Sequence, residues 1–430
     1  MLRVRTLLTS AAVVAGLVAV PAALGPAGAA AEAVPRTGFE ESGGARWTTI
    51  EEEHAFLAAV DRSSRRMSMT QVGTTLQGRP LHLVRLGDPA PARHSMVALF
   101  LCSQHGDEPA GREACLIRIR DFAFSDDAAV RRLLRTTTLL FVPTANPDGR
   151  VANTRGNAEG VDINRDHIAL ATPEGRAIAT VFRDFRPDVV HDLHEFGPTP
   201  PFYDKDLLWL WPRNLNVDPR VHDESESLSR DFVRVAVESE GHTSGVYGIW
   251  VDPVTGEPIR QVAGDGQERI LRNTSGLKHA LGLLVESNVD PNPGEDAVAA
   301  ANRRVRTHLL GVQGTLRMVT ERRAQVELAT TLSRLTAPFN RGPIYFGGAD
   351  NQPPDPARVE PNPPCGYRLT AEQFTQVRET LALHDVRSVR TVDGGRLVPM
   401  FQPARPLIPL LLDPRADFEI VAGVASPNCR

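Results

Sequence analysis

Residues 96–109 read MVALFLCSQHGDEP, an apolar run that ends in a group of polar side chains. A short continuous apolar run is typical of a strand that is covered on both faces of its sheet. Pro109 favours the first turn of a helix, because its fixed backbone angle suits that position. His105 and Glu108 therefore lie between a predicted buried strand and a predicted helix. Their spacing lets both side chains reach one metal ion, and a polar loop with a helix-capping acid is the alternative.

Similar apolar runs recur along the chain and alternate with helical patterns. Predicted strands cover residues 69–72, 81–86, 96–102, 137–142, 188–194 and 282–286. Predicted helices cover residues 48–60, 109–122, 173–185, 217–240, 267–280, 296–335 and 370–384. This alternation is typical of an α/β fold. We predict a mixed, mostly parallel central sheet flanked by helices, with a small C-terminal extension.

The first residues have the pattern of a secretory signal peptide. Arg3 and Arg5 precede an apolar run from Leu7 to Leu24, and small residues continue to Ala33. A charged start, a short apolar core and an A-x-A-like end favour cleavage over a retained membrane anchor. We predict a secreted, extracellular mature chain without a membrane span.

The composition bounds the domain organisation and the class of partner. The chain has 430 residues, 41% of them apolar, and a formal net charge of −4. These values are typical of a globular protein of two or three domains, and no basic surplus indicates nucleic-acid binding. The predicted segments are a signal peptide at 1–33, a linker at 34–46, a catalytic domain at 47–335, a Pro-rich linker at 336–365 and a small C-terminal unit of unknown role at 366–430.

Four cysteines suit an oxidising compartment. They are Cys102, Cys115, Cys365 and Cys429. Four cysteines allow three pairings, which the sequence does not distinguish. The simplest pairing joins Cys365 to Cys429 and fastens the C-terminus, while a buried free thiol explains Cys102 equally well. Their spacing does not fit a cysteine-based zinc site.

A second predicted strand ends in residues that suit metal chemistry. Residues 192–197 read DLHEFG. His194 lies at the carboxyl end of this strand, where open α/β sheets bind their ligands. His191 is a rival ligand, but alternation along a straight strand places it on the opposite face. With His105 and Glu108, His194 completes the His₂Glu set of catalytic zinc sites, so we predict one zinc ion.

Charged residues elsewhere fit the same site. Glu286 ends a predicted apolar strand. Burial of a carboxylate without a partner is unfavourable, so a neighbouring metal site would explain a glutamate at this position. A solvent-facing glutamate is the alternative. Between the two ligand motifs lie Arg155, Asn164 and Arg165 in a polar, turn-rich stretch. Arginine binds carboxylates through two parallel hydrogen bonds, so these residues indicate an anionic substrate.

Together these motifs resemble the zinc metallocarboxypeptidase family, of which carboxypeptidase A is the type, over residues 48–320. The matching motifs are QGRPL at 77–81, HxxE at 105–108, NPDG at 146–149, GVDINR at 160–165, DLH at 192–194 and VE at 285–286. Six such motifs in family order are specific together. The resemblance implies a carboxypeptidase-like fold and hydrolysis of C-terminal bonds in peptides or proteins.

The resemblance also implies a role for each site residue. His105, Glu108 and His194 match the zinc ligands of the family, and Glu286 matches the general base for zinc-activated water. Arg155 matches an arginine that helps to polarise the scissile carbonyl. Asn164 and Arg165 match the pair that holds the terminal carboxylate of the substrate, as an exopeptidase requires.

One departure from the family pattern affects specificity. Family members often carry a tyrosine on a mobile loop shortly before the catalytic glutamate, but residues 264–269 read GDGQER, and Tyr247 lies farther upstream. Two alternatives therefore stand beside a metallocarboxypeptidase. One is a cell-wall peptidase or amide hydrolase of the same fold that cleaves peptidoglycan stem peptides. The other is a non-catalytic peptide-binding module, which has no need of Glu286. Residues 340–430 lie outside the resemblance.

Overall fold

A computed structural model describes residues 34–88, 95–198, 203–251, 254–255, 258–261 and 265–429. The predicted signal peptide lies outside these described residues. The described residues from Pro35 onward group into one compact unit, and the predicted division of that unit into domains and linkers stays a prediction. Across the described ranges, every helix is too short or too polar to cross a membrane.

The strands of the described ranges build one large sheet and several small ones. In chain order they are β1 (Met67–Thr74), β2 (Pro80–Leu86), β3 (Met96–Cys102), β4 (Thr137–Val142), β5 (Val189–Phe196), β6 (Leu207–Leu210), β7 (Ser244–Val246), β8 (Ile249–Val251), β9 (Pro258–Gln261), β10 (Leu281–Asn288), β11 (Ile344–Tyr345), β12 (Val359–Glu360), β13 (Gly366–Leu369), β14 (Val389–Arg390), β15 (Arg396–Pro399) and β16 (Val424–Ser426). The large sheet has the spatial order β1-β2-β4-β3-β5-β10-β6-β7.

The centre of the large sheet is parallel and its flanks are mixed. Strands β4, β3, β5 and β10 run parallel, whereas β2 and β6 pair antiparallel with this centre. The predicted mixed, mostly parallel sheet is therefore confirmed. Because the four central strands run the same way, their carboxyl ends lie along one edge of the sheet.

Helices cover the sheet and bury its side chains. In chain order they are α1 (Gly38–Glu41), α2 (Ile50–Ser63), α3 (Ala110–Phe124), α4 (Ala128–Thr136), α5 (Pro147–Ala152), α6 (Pro173–Phe185), α7 (Pro219–Ser227), α8 (Arg234–Glu238), α9 (Leu271–Leu277), α10 (Ala297–Glu321), α11 (Arg323–Thr336), α12 (Ala371–Leu383) and α13 (Ile408–Leu412). A π-helical segment, Leu228–Val233, joins α7 to α8. The predicted helical region 296–335 is thus a pair of helices that meet at Arg322.

Alternate residues of β3 reach opposite faces of the sheet, as strand geometry requires. Phe100 and Cys102 pack in one buried cluster with residues of α2, α3 and α10. Leu99 and Leu101 pack in a second cluster with residues of α6 and α9. The strand is therefore apolar at every position because helices cover both of its faces.

Two disulfides tie the chain. Cys365 pairs with Cys429, so the predicted pairing at the C-terminus is confirmed. Cys102 pairs with Cys115, and the free thiol considered for Cys102 is wrong. Cys102 ends β3 and Cys115 lies in the second turn of α3. Their disulfide therefore closes the loop that carries His105 and Glu108. The spacing of the two cysteines in the sequence did not predict this pairing.

Candidate metal centre

Three side chains converge at the carboxyl edge of the sheet. His105 and Glu108 lie on the loop between β3 and α3, and His194 lies near the end of β5. The Nδ1 atom of His105 is 2.7 Å from Oε1 of Glu108, and Nδ1 of His194 is 2.8 Å from Oε2. The potential ligand atoms of the three residues all lie within 4.8 Å of one another, and all three residues are buried.

The parallel pairing of β3 with β5 explains this convergence. Cys102 lies opposite Leu193, so the residues that follow the two strands emerge side by side. The loop after β3 passes very close to α5. A Cβ atom on Gly106 would lie 1.9 Å from the carbonyl carbon of Gly149, so only glycine fits at position 106. Arg150 donates a hydrogen bond of 2.7 Å to the carbonyl of Gly106 and holds the loop in place.

Each ligand imidazole has a carboxylate on its far side. Nε2 of His105 lies 3.0 Å from Oδ1 of Asp162, and Nε2 of His194 lies 2.9 Å from Oδ2 of Asp192. Such outer acceptors hold the proton on Nε2 and leave the Nδ1 lone pair for a metal. The two Nδ1 atoms are 3.1 Å apart and face the same carboxylate. The arrangement therefore presents three electron-pair donors to one point.

The charges around this point favour a cation. Burial opposes ionisation of Glu108, but His105 and His194 outweigh it and lower the pKa of that carboxyl. Burial likewise opposes charge on His194, yet Asp192 and Glu108 raise the pKa of that imidazole above its ordinary value. The cluster thus attracts positive charge, either a proton or a metal ion. Two imidazoles and one carboxylate are the ligand set of catalytic zinc sites, so the residues fit the metal that the sequence predicted.

Glu286 lies beside the cluster on the neighbouring strand. In the pairing of β10 with β5, it is directly opposite His194. The residue is buried, with 8% of its surface exposed. Burial, together with the negative charge of Glu108, raises the pKa of Glu286 to about 8, while the positive charge of His194 acts in the other direction. A carboxyl group with this pKa exchanges a proton readily near neutral pH.

Arg155 lies at the rim of the cluster. Its Nη1 atom is 3.2 Å from Nδ1 of His105 and 3.5 Å from Oε1 of Glu108. Its Nε and Nη2 atoms donate to Oδ2 of Asp162, at 3.1 and 2.9 Å. Half of the side chain is exposed, so the guanidinium is accessible to a substrate. Asp162, for which the sequence predicts no role, therefore orients both His105 and Arg155.

Asn164 and Arg165 lie in different environments. The Nδ2 atom of Asn164 is 3.1 Å from Nε2 of His194 and 3.3 Å from Oδ2 of Asp192, and its Oδ1 accepts a hydrogen bond from the amide of Leu271. This buried amide is therefore engaged with the protein. Arg165 is one-third exposed and donates one hydrogen bond, of 2.8 Å, to the carbonyl of Asn164. Carboxylate binding by this pair stays a prediction.

His191 is directed away from the cluster. Its Nδ1 atom lies 2.8 Å from Oγ1 of Thr315 in α10, and its ring contacts Phe100. The metal-ligating group in the described part of the chain contains His194 and does not contain His191. Alternation along β5 explains the difference.

Two tyrosines lie near Glu286. The negative charge of Glu286 is the main cause that raises the pKa of Tyr247. Burial and the same charge raise the pKa of Tyr203, whose ring centroid lies 5.7 Å from that of Tyr247. Sequence distance alone placed Tyr247 too far upstream. Tyr247 directly follows β7, a strand of the sheet that contains β10, and this long-range topology brings Tyr247 near Glu286.

The comparisons with known proteins agree with this geometry. Residues 53–189 match the family model described as zinc carboxypeptidase. Carboxypeptidase 2 of Trichophyton tonsurans is 31% identical over 204 residues, which cover 46% of this chain and 38% of that protein. Carboxypeptidase 2 of Trichophyton rubrum is 32% identical over 190 residues, which cover 43% and 35%. The predicted resemblance to the zinc metallocarboxypeptidase family is confirmed.

A solved structure gives the fold. The metallo-carboxypeptidase from Pseudomonas aeruginosa superposes with a TM-score of 0.50 and 20% identity over 63% of this chain and 69% of that one. At this identity the likeness establishes the carboxypeptidase-like fold alone. The chain spans less than two fifths of the length of the Trichophyton relatives that it matches.

Proposed function

We propose that this chain, whose residues 53–189 match the zinc carboxypeptidase family, is a secreted zinc-dependent metallocarboxypeptidase that hydrolyses the C-terminal bond of peptides or proteins. The observation that carries the proposal is the convergence of His105, Glu108 and His194 within 4.8 Å, at the strand edge that also carries Glu286. These three residues would hold the zinc ion. When bound, zinc acts as a Lewis acid and lowers the pKa of a coordinated water to around 7.

Glu286 is the general base in this proposal. Its carboxylate takes a proton from the water that attacks the scissile carbonyl carbon. It then delivers that proton to the nitrogen of the leaving amine as the carbon–nitrogen bond breaks. Burial raises the pKa of Glu286 above that of an ordinary carboxyl group, and a base whose pKa lies closer to the working pH both accepts and returns a proton.

Two arginines complete the proposed site. Arg155 donates to the carbonyl oxygen as negative charge develops there, and its hydrogen bonds to Asp162 fix the guanidinium in advance. Arg165 binds the terminal carboxylate of the substrate, because its guanidinium is partly exposed and makes few bonds within the protein. Asn164 accepts a hydrogen bond from the amide of Leu271 and so holds the start of α9 next to Arg165.

The proposed location rests on the N-terminal pattern. Arg3, Arg5, the apolar run after them and the small residues up to Ala33 support export and cleavage. Two disulfides among the described residues suit the same oxidising compartment.

The test uses two sets of peptides that differ only at the end group. One set has a free C-terminal carboxylate and the other is amidated, and mass spectrometry follows the loss of the last residue. We expect trimming of the free set and little of the amidated set, with Glu286→Gln as the inactive control. Equal cleavage of both sets would contradict exopeptidase action and favour a cell-wall peptidase or amidase, which purified peptidoglycan fragments would then identify.

A further inference from the structure

A cleft near the amino ends of β5 and β10, the ends away from the metal ligands, separates the ends of several helices from the C-terminal segment. Its cavity volume is about 130 Å³. The residues that define it here are Phe182, Leu277, Lys278, Arg334, Leu383 and Arg387, and we call it the basic cleft. Phe182, Leu277 and Leu383 are buried apolar residues and give the cleft an apolar floor.

Positive charge dominates the walls of the basic cleft. Its lining includes five cationic side chains and one acid, Asp385. Two of the cations are paired: Arg183 with Asp184 at 2.7 Å, and Arg186 with Asp385 at 3.0 Å. The side chains of Lys278, Arg334 and Arg387 have neither an ion pair nor a hydrogen bond with any residue in the described ranges.

Burial makes two of these cations costly. Lys278 and Arg334 are partly buried, and burial is the main cause that lowers the pKa of each. The Nζ atom of Lys278 lies 5.5 Å from the ring centroid of Phe182, on the apolar floor. A charge withdrawn from water without a partner is unfavourable, and a bound anion would compensate for that loss.

A further observation concerns a histidine that lines the basic cleft. The buried His384 bonds to the carbonyl of Ile168 through Nε2, but its Nδ1 atom has no hydrogen-bond partner in the described structure.

We propose that the basic cleft is a binding site for a small organic anion, a carboxylate or phosphate attached to an apolar group. The apolar part lies on Phe182, Leu277 and Leu383, and the anionic part lies between Lys278 and Arg334. This site is separate from the proposed peptidase centre and does not depend on its activity.

Helix ends offer a competing explanation for the cations. Lys278 directly follows α9, and Arg334 lies in the last turn of α11, where positive charge stabilises a helix. Such a role predicts that Lys278→Met lowers the melting temperature of the protein without any ligand. Our proposal predicts no such loss, because methionine keeps the packing and removes a charge that lacks a partner.

The experiment titrates the full chain with hexyl phosphate, hexanoate and hexylammonium, followed by thermal unfolding and by calorimetry. We expect at least one of the two anions to raise the melting temperature and hexylammonium to leave it unchanged. Binding of hexyl phosphate alone or of hexanoate alone supports the proposal and identifies the anionic group. No binding of either anion, or equal binding of the ammonium ion, would overturn it.

Variants locate the binding. Lys278→Met and Arg334→Met should each weaken anion binding about tenfold, the usual effect of removing one charge-assisted hydrogen bond. Arg132→Met, which removes an exposed arginine on α4, should leave binding unchanged. Unaltered affinity in both cleft variants would place the ligand elsewhere and overturn the assignment. So would a lower melting temperature of unliganded Lys278→Met together with unaltered affinity.

Discussion

Two charged regions of this protein are built in opposite ways. In the metal centre each of the two imidazoles lies between two carboxylates, His105 between Glu108 and Asp162, and His194 between Glu108 and Asp192. In the basic cleft, Lys278 and Arg334 have no ion pair within the described ranges. In the first region the charges of neighbouring side chains compensate one another, whereas in the second the two cations lack an opposite charge of the protein at ion-pair distance.

Removal of a ligand should break the metal centre most severely. In His105→Ala we expect zinc to be lost and turnover to fall by about a thousandfold or more, because a catalytic metal contributes several kcal/mol to transition-state stabilisation. Elemental analysis and peptide hydrolysis measure the two effects. His191→Gln, on the same strand as His194, should keep its zinc. Full zinc occupancy in His105→Ala would contradict the ligand assignment.

The next largest effect concerns Arg155. Arg155→Met should lower kcat by about a hundredfold to a thousandfold and change KM little, since the guanidinium acts on charge that develops in the transition state. Steady-state kinetics on one peptide measures both constants. Arg176→Met, at an exposed ion pair with Glu379, is the control. A kcat equal to that of the wild type would show that Arg155 only orders its loop.

A smaller effect should follow from the acceptor behind His194. Asp192→Asn keeps the shape of the side chain but removes the charge that orients the imidazole. We expect zinc affinity to fall by about tenfold to a hundredfold, the usual effect of losing an outer partner of a metal ligand. Competition with a chelator measures this affinity. An unchanged affinity would mean that the packing of β5 alone orients His194.

The smallest expected effect is the contribution of Lys278, in the basic cleft, to the pH dependence of stability. Burial lowers the pKa of Lys278 from 10.5 to about 8, against the attraction of Asp385. Between pH 8 and 10.5 the unfolded chain therefore binds more protons than the folded chain, and the free energy of unfolding rises with pH. We expect this rise to be about 1–3 kcal/mol larger in the wild type than in Lys278→Met. Denaturant unfolding across this range measures it, and equal slopes would contradict an uncompensated lysine.

The main features of the fold and of the metal centre were readable from the sequence. The apolar runs before His105, before His194 and before Glu286 predicted buried strands, and the carboxyl ends of parallel strands meet at one edge. The apolar runs therefore predicted a parallel sheet, and a parallel sheet places the polar residues at the ends of these strands close together. The same logic separated His191 from His194.

The rest depended on contacts between distant segments. The bond of Asp162 to His105 and the nearness of Tyr247 to Glu286 arise from loops and edge strands with no periodic signal of their own. Strand β7 has three residues, too few to form a pattern. Cys115 lies in α3, and the packing of α3 against β3 brings it to Cys102. The sequence alone does not indicate this contact. The basic cleft joins residues that lie more than two hundred positions apart, Phe182 and Arg387 among them.

We propose that His105, Glu108 and His194 hold zinc while Glu286 moves the proton. The decisive measurement is made on Glu286→Gln, with zinc content and release of the C-terminal residue determined on the same sample. We expect one zinc per chain in both the wild type and the variant, and turnover of the variant lower by at least about a hundredfold. Hydrolysis by the variant at the wild-type rate, with its zinc retained, would show that Glu286 is not the general base.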